Sequence, residues 1–137
     1  MSGSRTRRSS SRLVATVAVV DDDPSVRHAH SRLLRAAGLT VASFSSAEQL
    51  LAGYELARPS WLVVDLGLPG MSGADLVEKL RQTGELPPTV FVTGQPNAAS
   101  SLAQRGLGEI PCLQKPVEPA QLLALVRQGL GSARTRT

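Results

Sequence analysis

Short apolar runs alternate with segments of helical periodicity along this chain, and that alternation limits its fold more than any other feature. Five of the runs are short and end at polar or turn-forming residues, as buried strands do. An alternation of strands and helices is typical of βαβ units, in which right-handed helical crossovers join parallel strands. The sequence therefore predicts an α/β fold, a doubly wound (βα)5 three-layer sandwich around a parallel five-stranded sheet of order 2-1-3-4-5.

Capping residues and apolar spacing set the predicted limits of the elements. The predicted strands cover residues 15–20, 39–44, 61–65, 89–92 and 110–114. Asp23 and Pro24 should begin the first helix as N-cap and N1, and Gly38 should end it. The other helices are predicted between Ser45 or Ser46 and Pro59, from Ser72 or Gly73 to Gly84, over 97–105, and over 119–130. Leu102 is the one large apolar residue of the fourth helix, which we expect to be the most mobile element.

Basic residues are concentrated at the two ends of the chain. The 137 residues are 42% hydrophobic, enough for one domain with a core, and the formal net charge is +4. Six arginines lie within residues 1–12 and 131–137, and without them the charge is −2. We therefore predict disordered basic tails at 1–13 and 131–137 and one domain at 14–130. A folded part of this charge is not expected to bind DNA or a membrane directly.

The cysteine content and the N-terminal region favour a cytoplasmic protein. Cys112 is the single cysteine, so no intrachain disulfide can form. The apolar stretch at residues 13–20 follows an Arg-rich start, but three aspartates come directly after it and no small-residue cleavage pattern is present. No run approaches the roughly 20 apolar residues that span a bilayer.

Polar side chains follow several of the predicted strands at the point where each ends. Asp21 and Asp22 follow the first strand, Asp65 ends the third, Thr93 follows the fourth and Lys115 follows the fifth. The carboxyl ends of parallel strands meet at one edge of the sheet, where ligands of open α/β folds bind. In the predicted strand order the first and third strands are neighbours, so Asp21, Asp22 and Asp65 should face one another.

Carboxylates gathered in one pocket repel each other unless a cation neutralises them. Oxygen ligands with room left for water and phosphate suit Mg²⁺. With the charge neutralised, a phosphoryl group could approach and Asp65 could act as its nucleophile, giving an acyl phosphate. Lys115 and the hydroxyl of Thr93 would then contact the phosphoryl oxygens. No strong general base is visible in the sequence, which favours a long-lived phosphorylated state.

These motifs, in this order and at these intervals, resemble a response-regulator receiver domain over residues 14–130. They are Val19-Val20-Asp21-Asp22-Asp23-Pro24-Ser25-Val26-Arg27, Asp65 with Leu68-Pro69-Gly70-Met71-Ser72-Gly73, Thr93-Gly94, and Lys115-Pro116.

The resemblance implies a role for each matching residue. Asp65 would be the phosphoacceptor, Asp22 a direct Mg²⁺ ligand, Asp21 an acidic partner acting partly through water, and Gly67 a ligand through its carbonyl. The same resemblance makes Thr93 and Lys115 the phosphate contacts, with a Lys115-Pro116 peptide that is often cis.

By the same resemblance, the phosphoryl group would come from a histidine kinase or a histidine phosphotransfer protein. The protein would not be an enzyme beyond its own phosphorylation and slow dephosphorylation. We expect a stand-alone receiver that signals to an unknown protein target by a conformational shift, and the sequence leaves a homodimer open.

Two features depart from the family's pattern. Cys112 occupies the switch position, three residues before Lys115, where the family usually has Tyr or Phe. The stretch at residues 106–111 also differs from the usual Ala-Gly-Ala-x-Asp pattern, so the surface around it could be remodelled.

Other interpretations stay open at the level of the sequence. A haloacid-dehalogenase-type phosphatase would use Asp21-x-Asp23, but no acidic pair follows Lys115 to complete its metal site. A receiver-like interaction module with vestigial phosphorylation would keep the fold and bind partners elsewhere. Among single residues, His28 and His30 are expected to face solvent, and Cys112 is expected to be a small buried apolar side chain.

Overall fold

Five parallel strands form one sheet of order β2-β1-β3-β4-β5, which confirms the predicted fold and topology. The computed structural model describes residues 16–84 and 86–136, with side chains described as far as residue 129. The strands are β1 (Thr16–Val20), β2 (Thr40–Phe44), β3 (Trp61–Asp65), β4 (Thr89–Thr93) and β5 (Cys112–Gln114). Every residue of β3 and β4 is buried, as expected for central strands covered on both faces.

Six helices surround the sheet in the described part of the chain. They are α1 (Pro24–Ala36), α2 (Ala47–Ala52), α3 (Tyr54–Ala57), α4 (Gly73–Gln82), α5 (Ala98–Gln104) and α6 (Pro119–Arg136). The prediction of one helix before Pro59 is wrong, because Gly53 separates two short helices there. A Cβ on Gly53 would lie 3.2 Å from the Phe44 ring, so the end of β2 packs closely against this break. Leu56, which lies in the second of these helices, is 93% exposed.

Alternate residues of the strands face two separate apolar layers. In β1, Val17 and Val19 pack with Leu34 of α1 and Leu122 of α6. Ala18 and Val20 point the other way, into a layer that contains residues of α2, α4 and α5. This alternation, with a period of two, gives the predicted three-layer sandwich. Helices α1 and α6 pack on one face of the sheet, and the other helices contribute residues to the apolar layer on the opposite face.

The first helix begins and ends as predicted, but one of its histidines does not face solvent. Asp23 is the N-cap and accepts a hydrogen bond from the Ser25 N–H at 2.9 Å, with Pro24 at the first helical position. Gly38 follows the helix with φ of +91°, which glycine adopts without strain. His28 is exposed, whereas His30 is 8% exposed, and burial lowers the pKa of its imidazole. The expectation for His30 was wrong because the residue lines a groove between α1 and the β5–α6 connection.

The last helix is longer than predicted. Its backbone is helical as far as Arg136, beyond the predicted end at residue 130, while the domain bounds of 14–130 and the basic tail at 131–137 stay a prediction. A glycine costs only about 1 kcal/mol in a helix, and the serine, alanine and arginines that follow Gly131 tolerate the helical conformation. The basic tail predicted at 1–13 and the first predicted strand residue, Ala15, lie outside the described residues.

Replacing Gly129 with alanine should destabilise the protein, although alanine is the better helix former. The new Cβ would overlap the indole of Trp61, which is 3% exposed and has little room to move. Overpacking of this kind costs about 1–3 kcal/mol, against a gain of about 1 kcal/mol in helix propensity. Urea unfolding followed by fluorescence of the single tryptophan should show a net loss of about 1 kcal/mol.

Gln128→Ala, at an exposed neighbouring position, is the control and should change stability by less than about 0.5 kcal/mol. Equal stability of Gly129→Ala and wild type would contradict this packing.

Candidate functional site

The ends of β1 and β3 bring the predicted aspartates together. These strands are neighbours, with Val20 paired to Val64, so Asp21 and Asp65 stand side by side at the carboxyl edge of the sheet. Asp21 is 1% exposed and Asp65 is 5% exposed, while Asp22 is exposed at the rim. Carboxylate oxygens of all three lie within 4.8 Å of one another. This is the grouping that the predicted strand order required.

The three carboxylates fit a Mg²⁺ site by their chemistry. Their donors are all oxygens, as Mg²⁺ prefers, and the exposed rim at Asp22 leaves room for water and phosphate oxygens. Asp21 Oδ1 accepts a hydrogen bond from the Asp23 N–H at 2.9 Å. Asp21 Oδ2 is buried, and the cation nearest to it among the described residues is the Lys115 ammonium, at 3.1 Å.

Lys115 supplies positive charge to the same pocket. Its Nζ lies 3.1 Å from Asp21 Oδ2 and 3.4 Å from Asp65 Oδ2. Its backbone N–H donates to the Thr93 carbonyl at 2.7 Å, and the Lys115-Pro116 peptide is cis. Burial alone would lower the pKa of the ammonium group, but hydrogen bonding to Asp21 and the charges of Asp21 and Asp65 raise it. The lysine is therefore firmly cationic and is placed between the two buried acids.

Asp65 is held in an environment that disfavours its charged form. Burial raises the pKa of its carboxyl group, and the charge of Asp21 raises it further. A hydrogen bond from the Gly67 N–H to Oδ1, at 3.0 Å, and the nearby Lys115 lower the pKa and oppose this effect in part. A divalent cation would remove the remaining electrostatic cost.

Thr93 ends β4 next to the acidic cluster. Its side chain is 4% exposed, and its Oγ1 accepts a hydrogen bond from the Gln95 N–H at 3.0 Å. Thr93 and Gly67 both line a cavity of about 260 Å³ that also reaches Ala98 and Arg105. The hydroxyl therefore lies beside the loop that follows Asp65.

The loop after Asp65 is fixed at its far end by α4. Ser72 caps the helix by accepting from the Asp75 N–H at 3.1 Å, and the Asp75 side chain accepts in return from the Ser72 N–H. Gly73 packs directly on the Asp65 carbonyl, where an added Cβ would clash. These contacts hold the backbone of residues 65–73 in a defined path.

Two supporting residues were missed by the sequence analysis. Arg27 donates from Nη1 to the Asp21 carbonyl at 2.7 Å, which fixes the loop of the acidic pair. Glu48 accepts from the Met71 N–H at 3.0 Å, and this hydrogen bond lowers the pKa of the Glu48 carboxyl group. Arg27 stands inside the acidic motif itself and could have been found there. Glu48 is 23 residues away from Met71 in sequence, and no local pattern links them.

Cys112 does not provide a ring at the predicted switch position. It is half-buried, pairs in register with Phe91 and packs at the edge of the apolar layer that contains Phe91. Burial raises the pKa of its thiol, so the neutral form is favoured. The expectation of a small buried apolar side chain is therefore met only in part, and the switching role of this position stays a prediction.

Mg²⁺ should stabilise the folded protein measurably. Binding to the folded state alone adds about 1.4 kcal/mol at a concentration roughly ten times the dissociation constant. Thermal unfolding with Mg²⁺ and with EDTA should show this gain for the wild type and a much smaller one for Asp22→Asn. Asp23→Asn is the matched control, since Asp23 caps α1 and asparagine caps equally well. A gain that Asp22→Asn retains in full would place the ion elsewhere.

Within the described residues, no helix is both long and apolar enough to cross a membrane.

Comparison with known proteins finds one family that covers most of the chain. Residues 17–127 match the response regulator receiver domain. Response regulator protein TodT of Pseudomonas putida is 31% identical over 116 residues, which are 85% of this chain and 51% of TodT. Transcriptional regulatory protein FixJ of Azorhizobium caulinodans is 35% identical over 116 residues, 84% of this chain and 54% of FixJ. The chain thus spans about half the length of these curated relatives.

Solved structures give the same result. Response regulator StyR superposes with a TM-score of 0.79 at 37% identity, over 90% of this chain and 62% of StyR. A CheY-like receiver domain protein of Methanospirillum hungatei JF-1 gives a TM-score of 0.80 at 25% identity, over 90% of this chain and 99% of that chain.

Proposed function

Because this chain belongs to the response regulator receiver domain family and so is a phosphoacceptor module of two-component signalling, we propose that Asp65 is its phosphoacceptor. One observation carries the assignment: Asp65 shares a pocket with two further aspartates and the Lys115 ammonium. Such a pocket suits a carboxylate that must meet a phosphoryl group. In this proposal Asp21, Asp22, Asp65 and the Gly67 carbonyl would hold Mg²⁺.

The chemistry we propose is the transfer of a phosphoryl group from a phosphohistidine. An Asp65 carboxylate oxygen forms a bond to phosphorus while the bond from phosphorus to the donor's imidazole nitrogen breaks. The bonding electron pair stays on the imidazole, and the product is an aspartyl phosphate. Bound Mg²⁺ would neutralise the crowded charge and orient the phosphoryl oxygens.

Lys115 and Thr93 are the residues proposed to contact the phosphoryl group. The Lys115 ammonium already lies 3.4 Å from Asp65 Oδ2, within reach of an oxygen attached there. The Thr93 hydroxyl can donate once a phosphoryl oxygen is near, since at present it accepts from the Gln95 N–H. Aspartyl phosphate formation would then draw Thr93 and the β4–α5 loop toward Asp65. This movement is the proposed conformational shift.

We propose that the phosphorylated state is long-lived. The acidic cluster consists of three aspartates and contains no histidine or glutamate that could act as a general base toward water. The protein would receive a phosphoryl group rather than act as an enzyme on other molecules. Its dephosphorylation would be slow.

We propose that the donor is a histidine kinase or histidine phosphotransfer protein that docks beside α1. A groove of about 520 Å³ lies between α1 and the β5–α6 connection, with Val26, Ala29, Pro116 and Val117 among its apolar walls. Lys115 lines the same groove, so a protein seated there would have its histidine close to Asp65. A cytoplasmic location stays an expectation from the sequence, a homodimer stays open, and the downstream target stays an unknown protein.

The phosphatase alternative has less support. It needs Asp23 as the second acid of its pair, whereas Asp23 is exposed and caps α1. The vestigial alternative would keep the fold without the reaction. A partner pull-down with wild type and Asp65→Asn, with and without phosphoryl donor, separates the vestigial alternative from a working receiver. Identical binding with and without the donor would favour the vestigial alternative.

Treatment with acetyl phosphate tests the proposal without knowledge of the natural donor. With Mg²⁺, intact-mass spectrometry should show the addition of one phosphoryl group. With EDTA the addition should fall to background, because the acidic cluster repels the anion. Labelling of equal extent in both arms would contradict a magnesium-dependent receiver.

A further inference from the structure

A small crevice on the outer side of α1 is lined almost entirely by basic and hydroxyl side chains. It lies between α1 and the edge strand β2 and has a volume of about 150 Å³. Its walls are Arg27, His28, Ser31, Arg35 and Ser43. None of these five residues belongs to the acidic cluster or lines the apolar groove on the other side of α1.

The two arginines of this crevice have no carboxylate partner among the described side chains. None of the ion pairs within residues 16–84 and 86–129 includes Arg27 or Arg35. Arg27 donates one hydrogen bond to the Asp21 carbonyl at 2.7 Å, and Arg35 makes one long contact with the Val41 carbonyl at 3.4 Å. A guanidinium group has five N–H donors, so both side chains keep donors available for a ligand.

Ser31 gives a second and independent indication. The residue is 4% exposed, and its Oγ has no hydrogen-bond partner within the described residues. Buried hydroxyl groups are nearly always paired, because burying one without a partner costs free energy. Ser31 lines the crevice, and a rotation about its χ1 would bring the buried hydroxyl to an acceptor bound there.

We propose that this crevice binds a phosphate-type oxyanion, either free phosphate or the phosphate group of a small molecule. The size is suitable. At about 30 Å³ per water, the crevice volume of about 150 Å³ leaves room for one tetrahedral anion and a few waters. Two guanidinium groups and a hydroxyl are the donors that such an anion requires. The hydrogen bond from Arg27 to the Asp21 carbonyl would connect this site to the loop that carries Asp21 and Asp22.

An NMR titration of the full chain tests this proposal. Inorganic phosphate and methyl phosphate are added separately in EDTA, at constant ionic strength maintained with sodium chloride. Saturable shifts are expected at the amides of Ser31, Arg35 and Ser43. Saturation by both anions indicates that a phosphomonoester fits, and saturation by inorganic phosphate alone indicates a site for the free anion.

Three variants distinguish a defined site from diffuse basic charge. Arg35→Gln should weaken binding about tenfold or more, and Ser31→Ala about threefold. Arg32→Gln is the matched control, because Arg32 is exposed on the same helix but does not line the crevice, and it should weaken binding less than about twofold. The spectrum of each variant reports whether it is folded. Shifts that do not saturate, or an Arg32→Gln loss equal to that of Arg35→Gln, would overturn the proposal.

Discussion

Asp65→Asn should lose acetyl phosphate labelling by about 100-fold or more in the presence of Mg²⁺. An asparagine amide has nearly the shape of the carboxylate but is not a nucleophile toward phosphorus. The change also removes one buried charge from the neighbourhood of Asp21, so the variant should fold at least as stably as the wild type without metal. Loss of labelling would therefore report lost chemistry and not lost structure. Intact-mass spectrometry and thermal unfolding on the same samples measure both quantities.

Asp23→Asn is the matched control for this experiment. Asp23 lies in the same acidic run as Asp22, but its carboxylate accepts the Ser25 N–H at the start of α1. Asparagine caps a helix as well as aspartate does, so labelling should stay within about twofold of the wild type. If Asp23→Asn lost labelling and Asp65→Asn kept it, the phosphatase-type assignment would replace the present one.

Gly73→Ala should have the largest effect on stability, about 2–3 kcal/mol, through an overlap that the backbone must absorb. The added Cβ would meet the Asp65 carbonyl oxygen and lie 2.9 Å from Val64 Cγ1. Neither the end of β3 nor the start of α4 can move away freely, since Ser72 fixes the helix in a capping box. Urea unfolding should show the loss. Magnesium affinity should fall with it, because the displaced backbone carries Asp65.

Gly94→Ala provides a comparison at the same edge of the sheet. A Cβ on Gly94 would have no atom within 4 Å, so stability should change by less than about 0.5 kcal/mol. Equal effects of the two glycine substitutions would show that the close packing of α4 on Asp65 is not what stabilises the loop.

The sheet and the acidic cluster could be predicted from the sequence because both depend on short-range patterns. Apolar runs end at polar residues, and parallel connection brings those ends to one edge, so Asp21 and Asp65 were expected to meet. The contacts of Glu48 with Met71 and of Gly129 with Trp61 join residues far apart in sequence. Such contacts depend on how the elements pack, which periodicity does not encode.

The mistakes have similar causes. A helical stripe was extended through Gly53 because tertiary contact with Phe44 leaves no trace in local spacing. The prediction that His30 faces solvent fails because the β5–α6 connection, which is distant in sequence, packs against its side of α1. The end of α6 was predicted at a glycine, although a single glycine lowers helix stability without ending a helix.

Reductive trapping of the phosphorylated protein tests the central assignment most directly. Borohydride reduces an acyl phosphate and leaves a marked residue that peptide mass spectrometry can locate. After treatment with acetyl phosphate and Mg²⁺, the mark should fall on Asp65 and be absent when EDTA replaces the metal. A mark on Asp21, or one on Asp65 that forms equally well in EDTA, would contradict the account.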